Sequence, residues 1–196
     1  MILSDDGIIR ALDKGDIEID PCPTDVQYTT SAVDLLIGDK FLCWDSDKLR
    51  DLKGFTGTLN LSEQNFLSVA NAYLIPMKLE SDGTFLFPPY GNKPMHVLGI
   101  TRERVHLKPG SLLAGRVEGR SSMARYGLTV HLTAPTIHAG FNGQITLEMI
   151  NYGPFMLKLV PNSTRICQLV FERLESPPLR EIRTKFQGQT QPSGKP

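Results

Sequence analysis

The chain has 196 residues, with 21 Lys and Arg against 21 Asp and Glu, and so carries no formal net charge. That length lets one domain bury a core without disulfide or metal staples, and 40% hydrophobic with 21% charged residues is ordinary globular composition. Disorder, a collagen repeat and a disulfide scaffold are therefore excluded.

No apolar run approaches the roughly 18 residues of a membrane span. The start, Met1-Ile2-Leu3-Ser4-Asp5-Asp6, has neither the basic nor the apolar region of a signal peptide, so no membrane association is expected and a cytoplasmic setting is. The first expected element is a short helix. Ser4 can cap it, Asp5 and Asp6 suit its positive end, Ile8, Ile9 and Leu12 supply one apolar face, and Gly15 stops it. After Pro21 and Pro23 helical periodicity fades, and residues 51–64 read as a looser surface connection.

From about Phe66 the chain becomes short apolar runs punctuated by Gly, Pro and Asn: Val69–Met77, His96–Ile100, Ser111–Val117, Leu128–Leu132, Gln144–Ile150, Phe155–Val160 and Ile166–Leu174. Runs at this close spacing predict an all-β barrel or sandwich rather than alternating βαβ units. The tail from Ser176, rich in Pro and Gly, is expected outside the core. The chain thus divides into one β domain, 1–175, and a tail, 176–196, with no repeat and no coiled coil.

Three cysteines, Cys22, Cys43 and Cys167, are widely spaced and odd in number, and read as small buried hydrophobes in a reducing compartment. There is no CxxC, and His96, His106, His131 and His138 form neither HExxH nor the HxE of zinc deaminases. No zinc site is expected. The charge is uneven: residues 1–63 sum to −7 and residues 64–196 to +7. Nucleic-acid binding would call for a more basic domain. A small polyanion held by a few arginines of the second half fits the counts, as does mutual neutralisation of the two segments within the fold.

The densest motif is Gly119-Arg120-Ser121-Ser122-Met123-Ala124-Arg125-Tyr126-Gly127. Ser121 or Ser122 can cap a one- or two-turn helix ending at Gly127, whose free N–H groups would seat a phosphate beside the two arginines. A capped turn with surface arginines is the commoner use of such a motif. In Gln144–Ile150, strand alternation puts Ile145, Leu147 and Met149 on one face and Thr146, Glu148 and Ile150 on the other. Glu148 is then a solvated carboxylate or the single acid of a pocket, and His138 a loop residue or a substrate contact. In Arg165–Phe171, Gln168 shares a face with Ile166 and Val170, making either an ordinary amide hydrogen bond or a ligand contact.

In combination these stretches resemble the dCTP deaminase branch of the deoxyuridine triphosphatase superfamily. The resemblance is carried by Met1-Ile2-Leu3-Ser4-Asp5, Ser31-Ala32-Val33-Asp34-Leu35 with Gly38, and Gly119 through Gly127. It continues through Ala139-Gly140-Phe141, Thr146-Leu147-Glu148, Arg165 through Leu169, and Lys185-Phe186-Gln187-Gly188-Gln189. It implies a distorted, jelly-roll-like β-barrel with a few short helices, assembled as a homotrimer with active sites shared between subunits. It also implies zinc-independent hydrolysis of dCTP to dUTP and ammonia. Glu148 would be the general base and proton shuttle, with Ser121 and Arg125 orienting the water and holding developing charge. Arg120, Ser122, Met123, Ala124, His138, Thr146, Leu147, Gln168, Lys185 and Gln189 would contact the nucleotide. Magnesium would ride on the triphosphate rather than on protein side chains, dTTP is a candidate inhibitor, and the tail would close over the nucleotide.

The chain departs from the family at Ala134-Pro135-Thr136-Ile137-His138, where many members read Ala-His-Arg-Ile-Asp. His138 thus replaces an Asp expected to help position water in members that also hydrolyse dUTP. This favours dUTP as the product, whereas Ala139-Gly140-Phe141 and Gln187-Gly188-Gln189 look more like the dUMP-forming, bifunctional members. Pro178 stands where some members carry a tail Tyr. A trimeric nucleotide-binding regulator is the non-enzymatic alternative; the set Glu148, Ser121 and Arg125 argues against it.

Overall fold

A computed structural model describes residues 1–51, 59–62, 65–90, 96–181 and 184–195. Strands dominate it. Helix α1 (Asp5–Asp13) starts where expected: the Ser4 side chain accepts a hydrogen bond from the Gly7 amide, and Gly15 adopts φ 75° just beyond the helix. Ile8 and Ala11 face the core, but Ile9 is 46% exposed, a correction to the expected face. The 100° step between successive helical residues turns Ile9 away from Ile8.

Strand β1 (Ile17–Asp20) follows, then β2 (Val33–Trp44), helix α2 (Ser46–Asp51), helix α3 (Phe66–Tyr73) and β3 (Leu74–Pro76). Most of the run Val69–Met77, expected as a strand, is helix. The Asn65 side chain accepts from the Leu67 amide and caps α3, whose Ala70 is its buried residue, and only Leu74–Pro76 is extended. The surface connection expected over residues 51–64 falls mainly outside the described residues; Leu59–Ser62 are exposed.

The remaining elements are β4 (Phe85–Phe87), β5 (Val97–Leu107), β6 (Leu113–Gly119), helix α4 (Ser121–Arg125), β7 (Leu128–Thr129), β8 (Thr136–Ile137), β9 (Asn142–Asn151), β10 (Leu157–Leu159) and β11 (Arg165–Arg173). The main sheet runs β7-β9-β5-β2-β11-β6-β8, with β1 added on β5 and β3 on β2, while β10 pairs with β4. The pairings are antiparallel. The fold class is the mainly β one expected, and the sheet curls around Val33, Leu35, Phe41, Leu147, Leu169 and Phe171.

Gly38 lets β2 and β5 pass at close quarters. A Cβ there would lie 2.9 Å from the Ile100 carbonyl oxygen, at the point where the β2–β5 register shifts. Buried Glu103 holds the same irregularity: its carboxylate accepts from the Leu36 amide at 2.9 Å and from Gln27 Nε2 at 3.2 Å. Burial raises the Glu103 pKa above the usual carboxylate value, and these hydrogen bonds oppose the rise.

The uneven charge resolves partly into pairing across the fold. Glu18 meets Lys108 and His106, and Asp34 meets Arg120 and Arg165. Of the cysteines, Cys167 is buried as expected, Cys43 is half-buried and Cys22 is exposed, a correction imposed by its position in the proline-flanked turn before β2. Among the described residues no helix is long and apolar enough to cross a membrane.

Candidate active site

Strand β9 alternates as its sequence predicts. Ile145, Leu147 and Met149 are buried at 3% or less, while Thr146, Glu148 and Ile150 lie on the opposite, half-exposed face. The physical cause is the twofold strand period, which commits every second side chain to the core. Glu148 stands directly across from Leu98 of β5. Its carboxylate makes no hydrogen bond or ion pair with any described residue.

Glu148 faces a cavity of about 990 Å³. That volume is at the upper end for small-molecule sites, which commonly run about 300–1,000 Å³. Of the residues expected at the site, Glu148, Thr146, His138 and Gln189 line it. His96, His131, Trp44 and Phe66 line it too, and no site role follows for them from motif reading. His96 shares the alternation that puts Leu98 on this wall, which is the sequence signal that could have found it. Burial lowers the His96 pKa from its ordinary value, with the Glu148 charge opposing that effect. The ring is therefore neutral near pH 7.

Leu147 belongs to the other side. Its side chain is completely buried in the core, so only its backbone is available to a ligand. The α4 block also stands apart: none of Arg120, Ser121, Ser122, Met123, Ala124 and Arg125 lines the cavity. Arg120, not Ser121 or Ser122, occupies the N-cap position of α4, and no side chain caps the helix. Ser121 is already the first helical residue, so its hydroxyl is not committed to a cap. Met123 packs partly on the core, whereas Ser121, Ser122, Ala124 and Arg125 are exposed.

Gly127 follows α4 with φ 88°, as its place after the helix predicts. A Cβ on Gly127 would collide with the Gly153 backbone, and the Tyr152 amide donates to the Gly127 carbonyl at 2.8 Å. This contact fixes the exposed arginine helix against the end of the strand that carries Glu148.

Behind α4, buried Asp34 organises three polar side chains. Its Oδ2 lies 3.0 Å from Arg120 Nε and 3.4 Å from Arg165 Nη1, and its Oδ1 accepts from Gln168 Nε2 at 3.0 Å. Gln168 thus spends one amide hydrogen on a neighbour of the arginine motif. Asp34 was itself legible as the lone acid in an apolar run.

The tail is docked. Residues 175–181 are exposed, as expected of a tail, but Gln189, Pro192, Ser193 and Gly194 are buried. Its backbone bonds explain why: the Gln144 amide donates to the Gln189 carbonyl at 3.0 Å, the Gly188 amide to the Asn142 carbonyl at 2.7 Å, and Gln189 Nε2 to the Gln144 carbonyl at 2.6 Å. Phe186 meets Phe66 edge to face, and Phe186, Gln189, Pro192 and Gly194 form part of the cavity wall. Lys185 is exposed and does not line it.

The sequence profile of a family described as dCTP deaminase-like matches residues 2–174. A "dCTP deaminase, dUMP-forming" of Methanosphaera stadtmanae is 38% identical over 97% of this chain and 91% of its own length. A "dCTP deaminase" of Haloarcula marismortui is 36% identical over 98% of this chain and 92% of its own. Among solved structures, the 2'-deoxycytidine 5'-triphosphate deaminase from Agrobacterium tumefaciens superposes with a TM-score of 0.61 at 16% identity, a likeness of fold. That superposition covers 87% of this chain and 47% of the Agrobacterium chain, so this chain spans about half its length.

Proposed function

Because the chain belongs to the dCTP deaminase-like family, we propose that it hydrolyses the cytosine amino group of dCTP, releasing dUTP and ammonia into the cytoplasmic deoxynucleotide pool. The observation that carries this reading is Glu148, a carboxylate without a hydrogen-bond or ion-pair partner among the described residues, on the wall of a nucleotide-sized cavity. Hydrolytic deamination needs one group to take a proton from water as its oxygen bonds to C4. The same group must then deliver protons to N3 and to the departing nitrogen. A single carboxylate in a walled cavity can do both.

Developing charge on the adduct calls for a fixed cation and an orienting donor. Arg125 and Ser121 are the candidates. Both are exposed on α4 and outside the cavity of their own chain, so the α4 block of a second copy completes each site in a homotrimer. Arg120, Ser122, Gln168, Lys185 and Gln189 serve the triphosphate, with Met123, Ala124, His138, Thr146 and the Leu147 backbone around the nucleoside. The phosphate-side donors are hydroxyls, amides and cations, which do not fit direct ligation of magnesium; the ion travels on the phosphate oxygens. The docked tail closes the cavity over the nucleotide and excludes water.

The experiment is Glu148→Gln in the full chain. It keeps the size of the side chain and removes the proton acceptor, so dCTP binding persists while kcat falls about 10²-fold or more. Unchanged ammonia release in this variant would end the assignment.

A dUMP product is the second reading. It is favoured by the dUMP-forming activity for which the Methanosphaera relative is named and by Gln187-Gly188-Gln189. His138 in the place of the expected Asp favours dUTP.

A further inference from the structure

His96 occupies the position two residues before Leu98 on the same face of the chain entering β5, and Leu98 is the direct cross-strand neighbour of Glu148. Diagonal neighbours across an antiparallel pair lie within reach of long side chains. Both His96 and Glu148 line the cavity. His96 is half-buried, and its Nε2 is enclosed without a hydrogen-bond partner among the described residues. The Glu148 carboxylate is also without one among the described residues. A polar atom withheld from water normally has a partner; His96 Nε2 is such an atom, and the half-exposed Glu148 carboxylate is an acceptor on the same cavity wall. Catalytic hydrogen bonds are often long in the empty site and tighten only when the ligand arrives.

We propose that His96 is a positioning residue for Glu148: when a cytosine nucleotide fills the cavity, Nε2–H donates to the carboxylate and fixes the oxygen that takes the proton from water. The proposal rests on the deamination reading above. No bond to His96 is made or broken in the reaction; the imidazole stays neutral and the carboxylate carries the proton. Among the described residues, the other charged or titratable groups facing this cavity are His131, His138, Arg180 and Glu181.

The test compares His96→Leu and His96→Gln with the parent chain, measuring ammonia release from dCTP and the imidazole titration by NMR. His96→Leu is expected to lower kcat about tenfold or more with KM for dCTP changed less than threefold. His96→Gln, which keeps an amide donor, is expected to recover part of kcat. In the unmutated chain, saturating dUTP is expected to raise the His96 titration midpoint, because a bonded carboxylate favours the cation, and Glu148→Gln is expected to abolish that rise. An active parent chain with unaltered kcat in His96→Leu, or with equal losses in both His96 variants, would overturn the pairing alone. A parent chain that releases no ammonia would overturn the deamination reading and the pairing with it.

Discussion

Asp34 Oδ2 and Arg120 Nε lie 3.0 Å apart, with the Asp34 side chain 2% exposed and that of Arg120 21% exposed. This carboxylate sits beneath the arginine motif and joins β2 to β11 and α4 through Arg120, Arg165 and Gln168. Removing one partner of a buried pair strands the other charges. Asp34→Ala is therefore expected to lose about 3–5 kcal/mol of stability and to weaken dCTP binding, because Arg120 is no longer aimed. Chemical denaturation and nucleotide titration check both. Parent-like stability would make the network incidental.

Glu103 supplies a pH prediction. Its folded pKa is raised, chiefly by burial. A carboxyl group with a raised folded pKa contributes stability that is fully present below its unfolded value, about 4.3, and is lost as pH rises through the folded one. The stability difference between the parent and Glu103→Gln should therefore shrink as pH climbs above about 4.3. Denaturation curves at several pH values measure it, and a difference that grows with pH would contradict the burial argument.

The docked tail should matter to activity more than to the fold. Deleting residues 185–196 removes Phe186, Gln189, Pro192 and Gly194 from the cavity wall, while the main apolar cluster draws only on residues up to Phe171. The expected result is an unchanged far-UV circular dichroism spectrum with kcat/KM for dCTP reduced by about 10²-fold, in the range seen when catalytic geometry loosens. A deletion variant with parent-like kcat/KM would show that closure is dispensable.

The parts of the fold governed by local rules were legible in the sequence. The Ser4 cap, Gly127 after α4 and the alternation around Glu148 all follow from spacing within a few residues, and all stand in the structure. Strand β2 did not announce itself because residues 32–38 are buried without alternation around an ionised-type residue, Asp34, whose partners lie about a hundred residues away. Helix α3 ran against apolar content read as strand, since a capping Asn65 decided it. His96 escaped because its alternation with Leu98 marks only a face of the strand; the β5–β9 register is what sets that face beside Glu148. The docking of the tail was not legible, because it rests on backbone hydrogen bonds to β9 from residues more than forty positions away, such as Gly188 to Asn142 and Gln144 to Gln189.

The most direct measurement is incubation of the purified full chain with dCTP and magnesium, following ammonia while the nucleotides are resolved by ion exchange. The account predicts ammonia in step with accumulating dUTP. Ammonia accompanied by dUMP and pyrophosphate would retain deamination and correct the product, whereas intact dCTP with no ammonia would contradict the central claim.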